Sequence, residues 1–278
     1  MLYLILAIVT SAMISILMRL SEHKIKNNIA MLFIGYVCCS ILSALYMEPG
    51  HFSVQSPKFS TILLMAAVNG CLYMGGFVLM QRSIPKNGVV LTSTYMRLGL
   101  IVCIVLSMVL FREKPGTAQT IGLCLAIGAI LLNNNALQAG NMHFNSGLLL
   151  ILLVSGVGDT WVKVFNEFFH GQFSDPFLLI TFVAASLLCL GVMLYKKQRV
   201  GLWELVFGVA ISLPNYYNSR FLLKSLQTLP GIIVYPTFSV SALLLITVLG
   251  VCFFKERLHR RQWFAMGIIL VSLALLNL

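Results

Sequence analysis

The chain has 278 residues, of which 59% are hydrophobic and only 10% charged, and its mean hydropathy is +0.94. A typical soluble domain is about 45–50% apolar and about 25% charged, so a water-soluble enzyme, a disordered chain and a secreted disulfide scaffold are excluded. The net charge of +11, from 19 Lys and Arg against 8 Asp and Glu, would suit nucleic acid in a soluble protein. Here most basic residues fall in short segments between apolar runs, the pattern that the positive-inside bias produces, so no nucleic-acid partner is expected.

A membrane-crossing helix needs about 20 mostly apolar residues, and ten such runs follow one another. They cover 2–20, 29–47, 60–81, 88–110, 117–135, 146–168, 176–195, 204–226, 231–253 and 262–278. The runs are too long and too uniformly apolar for strands of a membrane barrel, which alternate in segments of about ten residues. The predicted fold class is therefore an all-α membrane protein with the lipid bilayer as its solvent. The first run starts apolar without a basic stretch before it, so it reads as a retained helix and not a cleaved signal. The seven cysteines all lie inside apolar runs and the five histidines are scattered in or beside loops, so neither a disulfide framework nor a metal site is expected. No cofactor is expected either.

Arg19, Lys24, Lys26, Arg82, Lys86, Lys196, Lys197, Arg199, Lys255, Arg257, Arg260 and Arg261 belong to the odd-numbered connections, twelve in all. The even-numbered ones hold four, Lys58, Arg112, Lys114 and Lys224. That bias predicts odd connections in the cytoplasm and both termini outside. Short loops and the lack of a targeting segment point to a bacterial cytoplasmic (inner) membrane.

The chain also repeats itself. Phe111-Arg-Glu-Lys114 recurs 143 residues later as Phe254-Lys-Glu-Arg257. In the same gapless register Tyr73 meets Tyr216, Gly88 meets Gly231, Thr94 meets Thr237, Glu113 meets Glu256, Gln119 meets Gln262 and Asn134 meets Asn277. An offset of 144 places Ser11, Ser15 and Arg19 over Ser155, Asp159 and Lys163. The expected organisation is two five-helix units, 1–138 and 146–278, joined near 137–145. Five is odd, so the second unit enters the membrane from the opposite side. Ten transmembrane helices as two inverted five-helix repeats are an arrangement found in secondary transporters.

With these residues the chain resembles the drug/metabolite transporter superfamily, and within it the EamA-type bacterial exporters. The resemblance runs over essentially the whole chain. It implies a central cavity lined by helices 1, 3, 4, 6, 8 and 9, with helices 5 and 10 packed together, where Gly122, Gly128 and Gly267 suit close approach. Small multidrug members of the superfamily carry an essential Glu within their first helix. This chain has Ser11, Ser15 and terminal Arg19 there instead, so proton coupling does not carry over and a cationic-drug substrate loses support.

An ionisable group in hydrocarbon costs at least about 2.5–3.5 kcal/mol, so it must face a partner or a watery cavity. Arg97, Asp159, Lys163 and Arg220 are such groups. In one arrangement Asp159 balances a basic residue while Arg97 or Arg220 meets a substrate anion, which the guanidinium fork suits. In the other, Asp159 and Lys163 pair one turn apart, and the arginines bond freed carbonyls or snorkel towards the interface. Span 8 carries Pro214-Asn215-Tyr216-Tyr217-Asn218, where the proline removes a backbone bond and the polar block needs a cavity or a helix contact. Span 9 carries Tyr235-Pro236-Thr237-Phe238-Ser239, facing its counterpart Thr92-Ser93-Thr94-Tyr95-Met96 of span 4. Asn69 and Tyr73 give span 3 a polar face beside Gly70, Gly75 and Gly76. A single Ser or Thr among these can simply bond a carbonyl one turn back. Glu113 and Glu256 sit at helix ends among basic residues and read as interfacial charge clusters.

The expected function is a secondary transporter, not an enzyme, that exports a small polar metabolite such as an amino acid or related carboxylate. The candidate substrate-binding residues are Asn69, Tyr73, Thr94, Tyr95, Arg97, Asp159, Lys163, Asn215, Tyr216, Tyr217, Asn218, Arg220, Tyr235 and Thr237. The alternatives are a multidrug or cationic-compound efflux protein of the same superfamily, a membrane-embedded lipid enzyme, and a non-transporting chaperone or receptor. The duplication makes a monomer sufficient without forbidding a homodimer.

Overall fold

The computed structural model describes residues 2–47, 59–99, 101–103, 105–106, 116–133, 146–169, 173–228, 231–255 and 260–275. Nine helices make up the described residues: α1 (Leu2–Ser21), α2 (Asn28–Leu45), α3 (Phe59–Leu98), α4 (Thr117–Asn133), α5 (Ser146–Phe169), α6 (Ser174–Tyr195), α7 (Leu202–Thr228), α8 (Gly231–Phe254) and α9 (Arg260–Leu275). Helix is what lipid dictates, because each backbone N–H and C=O must be satisfied within its own segment. Six described helical segments are long and apolar enough to cross a bilayer. Side chains such as Ile5, Leu64, Leu187, Val248 and Phe253 cover the exposed surface, as a lipid-facing exterior requires. The Phe111–Lys114 motif, Glu256 and Arg257, the positions 134 and 277, and the junction 137–145 lie outside the described residues.

Eight of the predicted spans coincide with one helix each. The third and fourth do not: the expected separate runs 60–81 and 88–110 form one element, α3, of 40 residues. Its interior departs from helical geometry at Gly88, with φ 79° and ψ 166°, a backbone region open to glycine and costly for other residues. Ser83 Oγ and Thr92 Oγ1 lie 3.0 Å apart. Nine residues of straight helix would hold them about 13 Å apart, so the chain folds back at Gly88 into a first arm (59–87) and a second arm (89–98). Asn87 Nδ2 also donates to the Ser83 carbonyl (3.3 Å) and to Ser83 Oγ (3.0 Å). The reversal thus takes one residue, and the helix runs on through Pro85 where the sequence reads as a loop.

Helix α1 packs on α7 and α8, α2 on α6 and α7, and α3 on α5, α6 and α8. Helices α4 and α9 pack together, the pairing implied for spans 5 and 10, and Ser272 Oγ donates to the Gly122 carbonyl at 2.7 Å. Among the described residues, a β-carbon at Gly128 or Gly267 would meet nothing within 4 Å. Close approach falls elsewhere. A β-carbon on Gly70 would stand 2.8 Å from the Thr181 carbonyl oxygen of α6, and one on Gly208 would stand 2.8 Å from the Met31 carbonyl oxygen of α2. Small residues that let backbones approach are how helices associate in lipid, where burial itself gives no driving force.

Candidate functional site

Five polar pairs, each with members one helical turn apart, converge at the centre of the bundle. They are Ser11 and Ser15 on α1, Asn69 and Tyr73 on the first arm of α3, Ser93 and Arg97 on its second arm, Ser155 and Asp159 on α5, and Asn215 and Ser219 on α7. Residues four apart in a helix share a face, so each helix turns one polar stripe inward. Together with Phe177 and Leu178 of α6 and Phe238 and Ile246 of α8, they surround a cavity of about 210 Å³. The lining implied by the family resemblance is extended by α6, the seventh predicted span.

Arg97 is held from two sides. Its Nη2 donates to Ser11 Oγ, and its guanidinium lies over the Phe238 ring at 4.4 Å from the centroid. The oppositely charged Asp159 borders the same cavity. Ser15 Oγ and Ser93 Oγ, 3.5 Å apart, tie α1 to the same arm, and Ser155 Oγ donates to the Met96 carbonyl at 3.0 Å. Asp159 borders the cavity and keeps accessible surface, so a molecule in the cavity can reach its carboxylate. Across from it, the Tyr73 hydroxyl meets Ser219 Oγ at 2.8 Å and donates to Asn215 Oδ1 at 3.4 Å. Asn69 Nδ2 donates to Thr181 Oγ1 at 3.2 Å. Asn218 also lines the cavity, and its buried Oδ1 has no donor among the described residues. Among the described residues, the site therefore offers one fixed cation, one accessible anion, and hydroxyl and amide groups.

Of the candidates read from sequence, Asn69, Tyr73, Arg97, Asp159, Asn215 and Asn218 line this cavity, and the others with described side chains do not. Thr94 bonds the Val90 carbonyl at 2.8 Å, and Tyr95 is buried in an apolar cluster with Leu98 and Ile269. Tyr216 stacks on Tyr46 with centroids 6.0 Å apart, and Tyr217 Oη lies 3.2 Å from Tyr46 Oη. Arg220 donates to the Tyr46 carbonyl at 3.3 Å and to the Tyr216 hydroxyl. Lys163 lies one turn beyond Asp159, outside the lining. Thr237 is exposed, and the side chain of Tyr235 lies outside the described residues. The cause is helical phase: 215, 218, 219 and 222 share one face of α7, and 216, 217 and 220 turn towards the end of α2. Sequence reasoning missed Ser93, Ser155 and Ser219 as lining residues. Their signal was the spacing, a small polar residue four positions from Arg97, Asp159 and Asn215.

Residues 1–135 match the model of the EamA-like transporter family. Over 96% of its length the chain is 25% identical to an uncharacterized protein of Haemophilus influenzae, covering 93% of that relative. It is also similar to a protein of Hamiltonella defensa named as a probable 4-amino-4-deoxy-L-arabinose-phosphoundecaprenol flippase subunit, ArnE. There the identity is 34% over 110 residues, which is 37% of this chain and 96% of the relative. A solved crystal structure of a protein shares the fold, with a TM-score of 0.64 at 13% identity over 99% of this chain and 95% of that one.

Proposed function

Given that this chain belongs to the EamA-like transporter family of the drug/metabolite transporter superfamily, we propose that it exports a small zwitterionic metabolite, such as an amino acid or related carboxylate. The observation that carries the reading is the opposed pair: the oppositely charged Arg97 and Asp159 border the same cavity. A carboxylate suits the guanidinium fork, and an ammonium suits the aspartate. The volume favours a small substrate. About 210 Å³ falls below the ~300–1,000 Å³ of pockets that hold drug-sized molecules.

The mechanism we infer is alternating access, in which two inverted five-helix units, 1–138 and 146–278, rock about the central site. Six pairs of lining positions support that duplication. Ser11, Ile14 and Ser15 stand 144 residues before Ser155, Gly158 and Asp159, and Leu72, Gly76 and Met80 stand 143 before Asn215, Ser219 and Leu223. The packing has the same symmetry: α1 meets α7 as α5 meets α3, and α2 meets α7 as α6 meets α3. In this reading the two arms of α3 are separate spans, ten in all. The basic bias supports both termini outside a bacterial inner membrane, and the duplication makes a monomer sufficient without forbidding a homodimer.

Proteoliposomes exchanging a mixed pool of amino acids and organic acids, read by mass spectrometry, test this. Uptake of a zwitterion or carboxylate should fall about 10- to 100-fold in Arg97→Ala, from about 1.5–3 kcal/mol for a hydrogen bond to a charged group. Asp159→Asn should distinguish zwitterions from simple carboxylates. Transport of cationic dyes with no anion-bearing compound moved would overturn the substrate class. The similarity to ArnE favours a second reading, a lipid-linked amino-sugar phosphate, which the same liposomes would reveal as transfer of that lipid between leaflets.

A further inference from the structure

Three cationic side chains converge on a second pocket, away from the central cavity. Lys26 comes from the α1–α2 connection, Arg82 from the first arm of α3, and Lys196 from the end of α6. They line a pocket of about 180 Å³ with the amide side chains of Asn28 and Gln198. No carboxylate lines it among the described residues. None of the three cations takes part in an ion pair or hydrogen bond through its side chain among those residues. The nearby acids are engaged elsewhere. Glu22 is paired with Arg19, and Glu204 Oε1 accepts the backbone N–H groups of Lys26 (2.8 Å) and Asn27 (3.0 Å).

The walls are fixed by backbone structure. Helix α6 ends in a two-bond terminal motif: Gln198 N donates to the Met193 carbonyl at 3.0 Å and Lys197 N to the Leu194 carbonyl at 3.1 Å. That motif requires a left-handed residue, usually glycine, and here Lys197 takes it, with φ 50°. A non-glycine residue in that region is strained and persists only where its surroundings hold it. The result places Lys196 and Gln198, on either side of Lys197, at the same pocket. On the other side, helix α2 begins at Asn28 without a side-chain cap, and Asn27 Nδ2 donates to the Arg199 carbonyl at 3.0 Å. Its first-turn N–H groups carry the positive end of the helix dipole.

Converging like charges repel unless an anion sits between them, and Lys26, Arg82 and Lys196 are all exposed, so an anion at the membrane surface can reach all three. Ile29 and Val78 complete the lining, so the pocket is cationic with an apolar side between α2 and α3. That combination fits a phosphate carried on an aliphatic body. We propose that this pocket binds a phosphate-bearing anion, the headgroup of an anionic phospholipid.

The test is native mass spectrometry of the protein released from nanodiscs of phosphatidylcholine containing phosphatidylglycerol. The parent protein retains phosphatidylglycerol selectively. Each cation near a membrane surface is worth about 1 kcal/mol, close to fivefold. Arg82→Gln should therefore weaken retention roughly fivefold, and Lys26→Gln/Arg82→Gln/Lys196→Gln on the order of a hundredfold. Lys255→Gln, a basic residue outside the pocket, should leave it unchanged, and Arg82→Lys should restore most of it. Inorganic phosphate is added in a parallel arm. Displacement of the lipid by phosphate supports the site with a soluble anion as its source, and resistance supports the lipid. Equal retention of phosphatidylglycerol by the parent and by a folded triple variant overturns the proposal, as does equal loss in Lys255→Gln.

Discussion

Gly70→Ala tests whether the crossing of α3 and α6 sets the wall of the central cavity. The added β-carbon would stand 2.8 Å from Ala184 Cβ, 2.8 Å from the Thr181 carbonyl oxygen and 3.1 Å from Ala185 N. These are backbone and methyl atoms, so no flexible side chain can swing aside. Carbon contacts are best at about 3.5–4.0 Å, so the helices must part by something under about 1 Å, which forfeits a quarter to a half of each nearby contact. Overpacking of this kind costs about 1–3 kcal/mol. Gly76→Ala is the control, because a β-carbon there meets nothing within 4 Å. Both changes put the same methyl group into the same helical arm, so the difference in helix propensity cancels between them. In detergent, thermal unfolding of Gly70→Ala should come roughly 2–10 °C below that of Gly76→Ala, at about 2–4 °C per kcal/mol. The neighbouring Asn69–Thr181 bond of 3.2 Å should break with the separation, so transport should fall as well. If Gly70→Ala melts with Gly76→Ala or above it, the two helices do not cross at this distance and the cavity wall is wrongly placed.

Two further substitutions probe the site and its frame. Tyr73→Phe removes the hydroxyl that meets Ser219 at 2.8 Å; a double-mutant cycle with Ser219→Ala should give a coupling of about 0.6 kcal/mol, the average for hydrogen bonds between membrane helices, and at most about 1.7, and strictly additive effects would refute the bond. Glu204→Gln weakens the acceptor that holds the Lys26 and Asn27 backbone at 2.8 and 3.0 Å. Charge-assisted bonds of this kind are worth about 1.5–3 kcal/mol, so trypsin should cut after Lys24 and Lys26 at least several times faster, and an unchanged rate would place the carboxylate elsewhere.

The helices were legible because lipid imposes one rule along the whole chain: an apolar run of sufficient length becomes a helix. Ends of α5 and α8 fall within one residue of their predicted limits. The turn at Gly88 was legible only in part. Pro85, Asn87 and Gly88 are all residues that break helices, but how many of them leave the helix depends on hydrogen bonds between Ser83, Asn87 and Thr92, which composition does not reveal. The charged candidates Arg97 and Asp159 fell in the cavity because an ionisable group in a membrane has few other places to go. Tyr216, Tyr217 and Arg220 were harder to place, since an aromatic hydroxyl or a guanidinium near a helix end can be satisfied by any neighbour. Here the neighbour is Tyr46, whose position in the bundle follows from the packing of α2 on α7 and not from any local pattern.

The one-residue reversal at Gly88 makes the second arm of α3 a short lever with its fulcrum at that glycine. Arg97 stands nine residues out along it, about 13 Å from the pivot. A tilt of about 10° there carries its backbone on the order of 2 Å, enough to make or break a hydrogen bond such as the one from Arg97 to Ser11. No loop intervenes to absorb the swing. The Ser83–Thr92 contact of 3.0 Å lies beside the pivot, where the displacement is least, so the clasp can stay shut while the far end of the lever travels.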